Sequence, residues 1–540
     1  MKNIDFLESS INDIINLLQN SKSKSALDKT DALLKKNKHF YIFNLKGLAL
    51  VQLGLYQDAI KAFKNCIKYN PEFPDAHNSL GTVLINLGKT EDANLSFKRA
   101  ITLNSSFTQA YYNLANSLIN LGKLFEAIDV LNSILKNNQD DFSANNLMAD
   151  IYAKLNKPWE SISFRKKALA NFKDNHETLN VMGNTYLSLG DFKNAKENYK
   201  KSYIDRPNIY ALRNLINLQD NCSDEDLARA KELRENAKDK MTEADACFAL
   251  YAINEKNKQF DVAYQYLSEA NRLKNSTVKF ELKPTINFFN LIKKNYIKLK
   301  DKKIDLKESN QIPIFILGLP RSGSTLCEQL ISADDNIYGA GELGVLADIL
   351  LKFIAKDNFS INDVNNLRME YFSFIKKLTD KQFFIDKTPG NFISVGLLST
   401  IFPEAYFIHT KRDLFSVAFS NYQQNFSGRG MYWTFDQTNI FEMINFYKEA
   451  SDFWEKENLK KYTNLIYEDL INDPEKISKQ LFTFLNLEYK KKYLDLSQNK
   501  KPVLTASSLQ VRQKLNRKGI ENWEKYNDYI QEFKNLIDSI

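Results

Sequence analysis

Residues 312–331 read IPIFILGLPRSGSTLCEQLI. Residues 313–319 form a short apolar run rich in β-branched residues and Phe, which predicts a buried strand. The run breaks at Gly318-Leu319-Pro320-Arg321-Ser322-Gly323, and a helix-compatible segment, Thr325-Leu326-Cys327-Glu328-Gln329-Leu330-Ile331, follows at once. Strand, glycine-containing turn and helix start together aim backbone N–H groups and a helix dipole at one point. The stretch therefore reads as an anion cradle, although the same residues would also serve as an ordinary turn. Gly318, four residues, then Gly323-Ser324-Thr325 is P-loop spacing, except that Ser324 stands where that loop places its Lys. Without the Lys that meets the β- and γ-phosphates, hydrolysis of ATP or GTP is disfavoured. The loop's positive charge sits instead at Arg321.

The chain has 540 residues, which at ~150 residues per domain predicts roughly two to four units. Hydrophobic residues make up 43% and charged residues 26%, a soluble globular composition. The formal charge of +8 suits an anionic ligand, but over this length it is mild, and no nucleic-acid partner is expected. Cys66, Cys222, Cys247 and Cys327 show neither disulfide nor metal spacing and fit a reducing compartment. Acidic residues interrupt the opening MKNIDFLESSINDII, so no signal peptide is read there. No apolar run approaches the ~20 residues of a membrane helix. A cytoplasmic protein is expected.

The first half repeats. Gly54, Gly88, Gly122, Asn156 and Gly190 lie 34 residues apart, each after Leu. Gly47, Gly81, Ala115, Ala149 and Gly183 keep that period, as do Ala59, Ala93, Ala127, Ser161 and Ala195. This is the tetratricopeptide pattern, in which small residues let paired helices approach and Gly or Asn supplies a left-handed turn. Clear repeats run over about 40–207, with degenerate repeats on both sides, at 6–38 and 243–274. Asn44, Asn78, Asn146 and Asn180, with Tyr112 in the remaining repeat, share one helix position, and Thr82, Asn116, Asp150 and Asn184 follow four residues on. In such arrays this face lines the groove. A carboxamide-rich groove can pair with a peptide backbone without reading its side chains, which predicts an acceptor protein or peptide as partner.

Residues 276–311 read as a connecting helix and linker. Beyond them, alternating apolar runs and helical stretches predict an α/β unit, with strands at 313–317, 382–385, 405–409 and 464–467 and helices at 343–356 and 441–456. Ligands of such sheets bind beyond the carboxyl ends of the strands. Asp386-Lys387-Thr388-Pro389 follows one of these ends, and by itself Asp386 could be a Walker-B carboxylate. Thr410-Lys411-Arg412-Asp413 follows another, with Ser420 eight residues beyond Arg412. The fold class is thus multidomain: an all-α tetratricopeptide solenoid (1–275), a linker (276–311) and an α/β P-loop-type three-layer domain with a mostly parallel sheet (312–540).

Pro320-Arg321-Ser322-Gly323-Ser324-Thr325 resembles the Pro-Arg-Ser-Gly-Thr-Thr loop of the sulfotransferases, especially the tyrosylprotein branch. The resemblance extends over about 313–526 and implies that these six residues bind the 5′-phosphosulfate of 3′-phosphoadenosine 5′-phosphosulfate (PAPS). It further implies that Arg412 and Ser420 bind the 3′-phosphate, and that Lys387 offsets charge on the bridging oxygen. Glu342, 21 residues after Arg321, falls where that branch places its base, and Gly341-Glu342 reads as a helix opening. Arg517-Lys518-Gly519 with Trp523 resembles the element that closes over the 3′-phosphate. Ser507 lies in a segment similar to the one facing the phosphosulfate bridge, and Tyr467 begins one that contributes to the nucleotide pocket. Gln424 stands where some relatives carry a second Arg. His409 is read as strand packing. No metal is expected, since Arg and Lys supply the positive charge. The implied reaction moves a sulfuryl group to an acceptor hydroxyl. The alternatives are a P-loop kinase, or a repeat scaffold with a degenerate nucleotide-binding domain.

Overall fold

In the computed structural model, residues 2–171, 175–356, 360–496, 501–503, 520 and 522–540 are described. The chain forms two compact units, 1–151 and 152–540.

Helical hairpins of the 34-residue period occupy the first unit and continue into the second, beginning with Phe40–Gln52 and Tyr56–Tyr69 and ending with His176–Ser188 and Phe192–Asp205. The turn positions behave as their sequence requires. Gly54, Gly88, Gly122 and Gly190 have φ between 69° and 77°, and Asn156 adopts 55°, the left-handed region that Gly enters freely and Asn tolerates. The small residues in the first helix of each pair are set by what they face. A Cβ at Gly47 would lie 2.4 Å from the Phe63 ring, one at Gly81 2.5 Å from Phe97, and one at Gly183 2.4 Å from Tyr199. Where the residue sixteen positions on is Leu131 rather than an aromatic, the small residue is Ala115, and both are fully buried. Side-chain volume is therefore exchanged between the two helices at constant packing.

The second unit holds a five-stranded sheet of order β2-β3-β1-β4-β5, every pairing parallel. The strands are β1 (Ile312–Gly318), β2 (Ile337–Gly339), β3 (Phe383–Asp386), β4 (Tyr406–Lys411) and β5 (Tyr462–Ile466). Alternation along the strands sends residues to two cores. Phe315, Leu317, Phe384 and Phe407 face one side, and Ile314, Ile316, Ile385 and Ile408 face the other, which is the three-layer arrangement. The first of these cores also takes in Cys247, Phe248, Leu267 and Leu273 from the helices Lys240–Lys256 and Phe260–Asn275, and Phe289 and Tyr296 from Lys283–Leu299. The last helical hairpin and the connecting helix are thus part of the sheet's own core.

β1 is central because the chain first moves to one side of it, for β2 and β3, and then crosses to the other for β4. Such a reversal opens a crevice at the carboxyl edge. Three cations stand at that edge: Arg321 three residues past β1, and Lys387 and Arg412 immediately past β3 and β4.

The Gly-to-aromatic pairing is directly testable. Gly81→Ala is expected to destabilise the chain by about 1–3 kcal/mol through overpacking against Phe97, despite the better helix propensity of Ala. Phe97→Leu in the same chain should recover part of that loss. A double-mutant cycle by urea unfolding checks it, and strictly additive effects would contradict the pairing.

Candidate active site

The loop after β1 is fixed by contacts that tolerate little change. Gly318 has φ +142°, and a Cβ there would sit 2.4 Å from the Thr410 carbonyl oxygen, so only glycine lets β1 leave beside β4. Ser322 is buried; its Oγ donates to the Leu319 carbonyl at 2.7 Å and lies 2.7 Å from Thr410 Oγ1. Gly323 caps the helix Ser324–Ile331 with φ 100°, and a Cβ there would meet the Tyr467 ring at 2.7 Å. Asn421 Nδ2 donates to the Pro320 carbonyl at 3.0 Å. Arg321 itself has φ 71°, a strained conformation for a long side chain and one held by its surroundings.

Two guanidiniums meet at this loop. Arg412 Nη1 donates to the Arg321 carbonyl at 2.9 Å, and its guanidinium lies 4.8 Å from the Tyr467 ring centre. Arg321 Nε donates to Ser420 Oγ at 3.0 Å from the following helix, Leu414–Tyr422. Burial pushes Arg321 down to about 10, and the charge of Arg412 adds to this. Burial lowers Arg412 as well. Two like charges in a partly desolvated loop favour an anion between or beside them. The hydroxyl of Ser420 accepts from Arg321 and has no acceptor for its own proton among the described residues, so that proton is available to a ligand.

The second group of charges lies beyond β2 and β3. Lys387 is fully buried and its Nζ is 2.5 Å from Glu342 Oε1, while the Glu342 side chain is about half exposed. Lys387 N also donates to the Gly341 carbonyl at 2.9 Å, and Gly341 N donates to Glu328 Oε1 at 3.0 Å. Glu328 is buried, on the helix that starts at the loop. Burial raises its carboxyl, with Lys387 opposing that rise. Glu342 precedes the helix Val345–Ile354 rather than opening it, and the left-handed backbone of Gly341, at φ +70°, breaks the chain just before it. That break is what lets Glu342 reach back to Lys387.

Asp386 does not present itself as a Walker-B carboxylate. It is fully buried, accepting from Tyr371 OH and from Thr388 Oγ1, each at 2.7 Å. Both oxygens are engaged inside the fold, which removes the main support for a kinase. His409 is also internal, with Nδ1 2.5 Å from Tyr462 OH and Nε2 2.6 Å from Tyr447 OH. Burial, with Lys411 adding, lowers His409 to about 3 and keeps it neutral, as packing requires.

Pro320, Arg321, Ser322, Gly323, Ser324, Thr325, Arg412, Ser420 and Tyr467 thus come together around one loop, and Glu342 with Lys387 forms a pair beyond the neighbouring strands. Ser507, Arg517, Lys518 and Gly519 lie outside the described residues. Trp523, downstream of that element, packs edge-on against Phe415 of the Ser420 helix at 5.3 Å. Glu328, Thr410 and Asn421 were not predicted. Only Glu328 carried a sequence signal: a single acid within an otherwise uncharged helix start.

Residues 313–491 match the sulfotransferase family, a span running from β1 past β5. The chain carries a sulfotransferase-family domain. Ahead of this sulfotransferase domain, residues 47–88, 88–151 and 176–203 match tetratricopeptide-repeat families. An uncharacterized protein of Aquifex aeolicus (strain VF5) is 31% identical over 370 residues, covering 64% of this chain and 48% of that protein. The chain therefore spans about half the length of the curated relative it matches. Among solved structures, a tetratricopeptide repeat protein from Parabacteroides merdae covers 49% of this chain and 98% of its own, at 14% identity and TM-score 0.35. The tetratricopeptide protein YrrB, described as having an unusual peptide-binding site, covers 34% and 95%, at 16% identity and TM-score 0.30.

Asp386 gives the sulfotransferase domain a pH signature. Burial pushes its carboxyl from 3.8 up to about 7, with Glu328 and Glu342 adding and the bonds from Thr388 and Tyr371 opposing. Between those values the folded chain holds a proton that the unfolded chain has released. The contribution to stability is therefore fully present below pH ~4 and is lost as pH rises to ~7. Asp386→Asn should flatten the stability profile across that window, as measured by urea unfolding at successive pH values. An unchanged slope would contradict the burial argument.

Proposed function

We propose that the domain moves a sulfuryl group from PAPS to an acceptor hydroxyl. The observation that carries this reading is the set of three cations, Arg321, Lys387 and Arg412, past the carboxyl ends of the adjacent parallel strands β1, β3 and β4, with Glu342 paired to Lys387. Burial lowers Arg321 and the nearby charge of Arg412 adds to it, and two such guanidiniums favour a multiply charged anion.

In this reading the loop 320–325 holds the 5′-phosphosulfate through its backbone N–H groups and Arg321. Arg412 and the Ser420 hydroxyl hold the 3′-phosphate, and Tyr467 buttresses both by lying against Gly323 and under Arg412. The donor supplies a sulfuryl group already activated by a phosphate leaving group. Glu342 accepts the proton of the acceptor hydroxyl as its oxygen bonds to sulfur. Lys387 stabilises the bridging oxygen, which keeps the electron pair as its bond to sulfur breaks. Ser507 assists at the same oxygen, and Arg517, Lys518 and Gly519 close over the 3′-phosphate. No metal is assigned a role in this scheme, since three protein cations are in place.

The acceptor is proposed to be a protein or peptide held along the repeats, with the tyrosylprotein branch as the nearest analogy. Within the first unit Asn113 Nδ2 donates to Asn78 Oδ1 at 2.8 Å, and within the second Asn214 Nδ2 donates to Asn180 Oδ1 at 3.1 Å. These links use the acceptor side of Asn78 and Asn180 and leave their amide donors for a peptide carbonyl. A cytoplasmic setting is proposed from the free cysteines. No helix among the described residues is long and apolar enough to cross a membrane.

Calorimetry with adenosine 3′,5′-bisphosphate tests the donor site. Arg321→Ala and Arg412→Ala should each weaken binding by about 10- to 100-fold, the worth of a charge-assisted hydrogen bond. Glu342→Gln should leave that affinity intact while slowing transfer by about 10²- to 10⁴-fold. Unchanged affinity in both Arg variants would overturn the assignment.

A further inference from the structure

Four successive residues, Gly339 to Glu342, carry the chain from β2 to Glu342, and each is tied to a neighbour outside the segment. Ala340 N donates to the Ile385 carbonyl of β3 at 3.0 Å, Gly341 is bonded to Glu328 and to Lys387 N, and Glu342 pairs with Lys387 Nζ. The remaining tie is the first. Asn156 Nδ2 donates to the Gly339 carbonyl at 3.1 Å, and Asn156 belongs to a repeat turn. A Cβ at Gly341 would stand 3.5 Å from the same Nδ2. Electrostatics also links this turn to β2: the Tyr338 phenol is pushed up to about 12 by burial, with the carboxylate of Glu160, four residues after Asn156, adding.

Asn156 is also the odd member of its series. The turn position is Gly at 54, 88, 122 and 190, and all five residues adopt the same left-handed backbone. Turn formation alone therefore gives no reason for Asn, since Gly reaches φ > 0 at lower cost. What Asn adds is a side-chain donor, and that donor is spent on the loop that presents Glu342.

We propose that Asn156 is a positioning residue for the Glu342–Lys387 pair, and that through it this repeat turn forms part of the frame of the active site. The proposal extends the assignment of Glu342 and Lys387 above. The carboxamide holds the Gly339 end of the loop, so the orientation of Glu342 depends on a residue outside the sulfotransferase domain proper.

The variants that test this are Asn156→Gly, which keeps the left-handed turn and removes the donor, and Asn156→Asp, which keeps the size and sets a carboxylate against the Gly339 carbonyl. Hydrogen exchange of the Gly341 and Lys387 amides in the full chain should quicken by about tenfold in Asn156→Gly, the loss of one hydrogen bond, and further in Asn156→Asp. Turnover of PAPS should fall in the same order, with kcat reduced and KM for the donor unchanged. A role confined to the turn predicts instead that Gly performs as well as Asn. Unchanged exchange at both amides in Asn156→Gly would overturn the proposal whether or not the chain proves to be a sulfotransferase. If exchange quickens but the wild-type chain binds no adenosine 3′,5′-bisphosphate, the anchor stands and the functional reading fails.

Discussion

The hydrogen bond from Arg412 to the Arg321 carbonyl joins the loops that leave β1 and β4, the strands between which the chain crosses the sheet. Most other features of the loop follow from that closeness. Gly318 must lack a Cβ because the Thr410 carbonyl is against it, Ser322 shares a hydrogen bond with the Thr410 hydroxyl, and Tyr467 fills the space between Gly323 and Arg412. The P-loop spacing is preserved because the same strand–turn–helix geometry is needed. Its lysine position is occupied by Ser324, which is buried at the helix start. Positive charge reaches the crevice instead from Arg321 within the loop and from Lys387 and Arg412, just past β3 and β4.

Periodic features were legible in the sequence because their cause is local. A 34-residue spacing and an alternation of two reflect turn geometry and strand pleat, so the repeats and four strands could be read directly. β2 was not read, since three residues give no alternation to detect, and β5 ends one residue before Tyr467 because a helix begins there. The strand–turn–helix loop of Arg321 was legible through its spacing, whereas Arg412 and Ser420 were singled out only by the resemblance to the sulfotransferases. The state of Asp386 was not: a carboxylate after a strand looks the same in sequence whether it faces a ligand or a buried tyrosine. Glu342 was placed at a helix start by the usual preference for an acid there, whereas the helix begins only at Val345, after the left-handed Gly341. Asn156 could be seen to differ from its series, but not what it touches, because the partner lies 183 residues away.

The second unit contains more than the sheet and its own helices. Asn271 Nδ2 donates to the Tyr422 carbonyl at 3.0 Å, and Gln423 Nε2 donates to Tyr251 OH at 2.8 Å, so the end of the Ser420 helix is seated on the last helical hairpin. A buried ion pair between Lys274 and Asp245, 2.9 Å apart, receives Asn425 at 2.6 Å just beyond. Polar groups this deep are costly unless fully paired, and here the pairing requires residues from both parts. The repeats' last hairpin thus specifies where the helix carrying Ser420 stops, as Asn156 does for the loop carrying Glu342.

A site of this kind works against its own fold. Arg321 and Arg412 are desolvated and repel one another, and Lys387 is buried with one exposed partner. Each arrangement lowers the stability of the chain by itself. The aromatic core beneath the sheet, with the Phe315 ring against those of Tyr371, Phe402 and Phe407, supplies the rigidity that keeps these charges where they are. Charges held in place before a ligand arrives need no reorganisation when it does, and in a low-dielectric crevice they act on it more strongly than they would in water. The unfavourable terms in the free protein are therefore the same interactions that would favour a polyanionic donor, and a core this dense is what allows the fold to retain them.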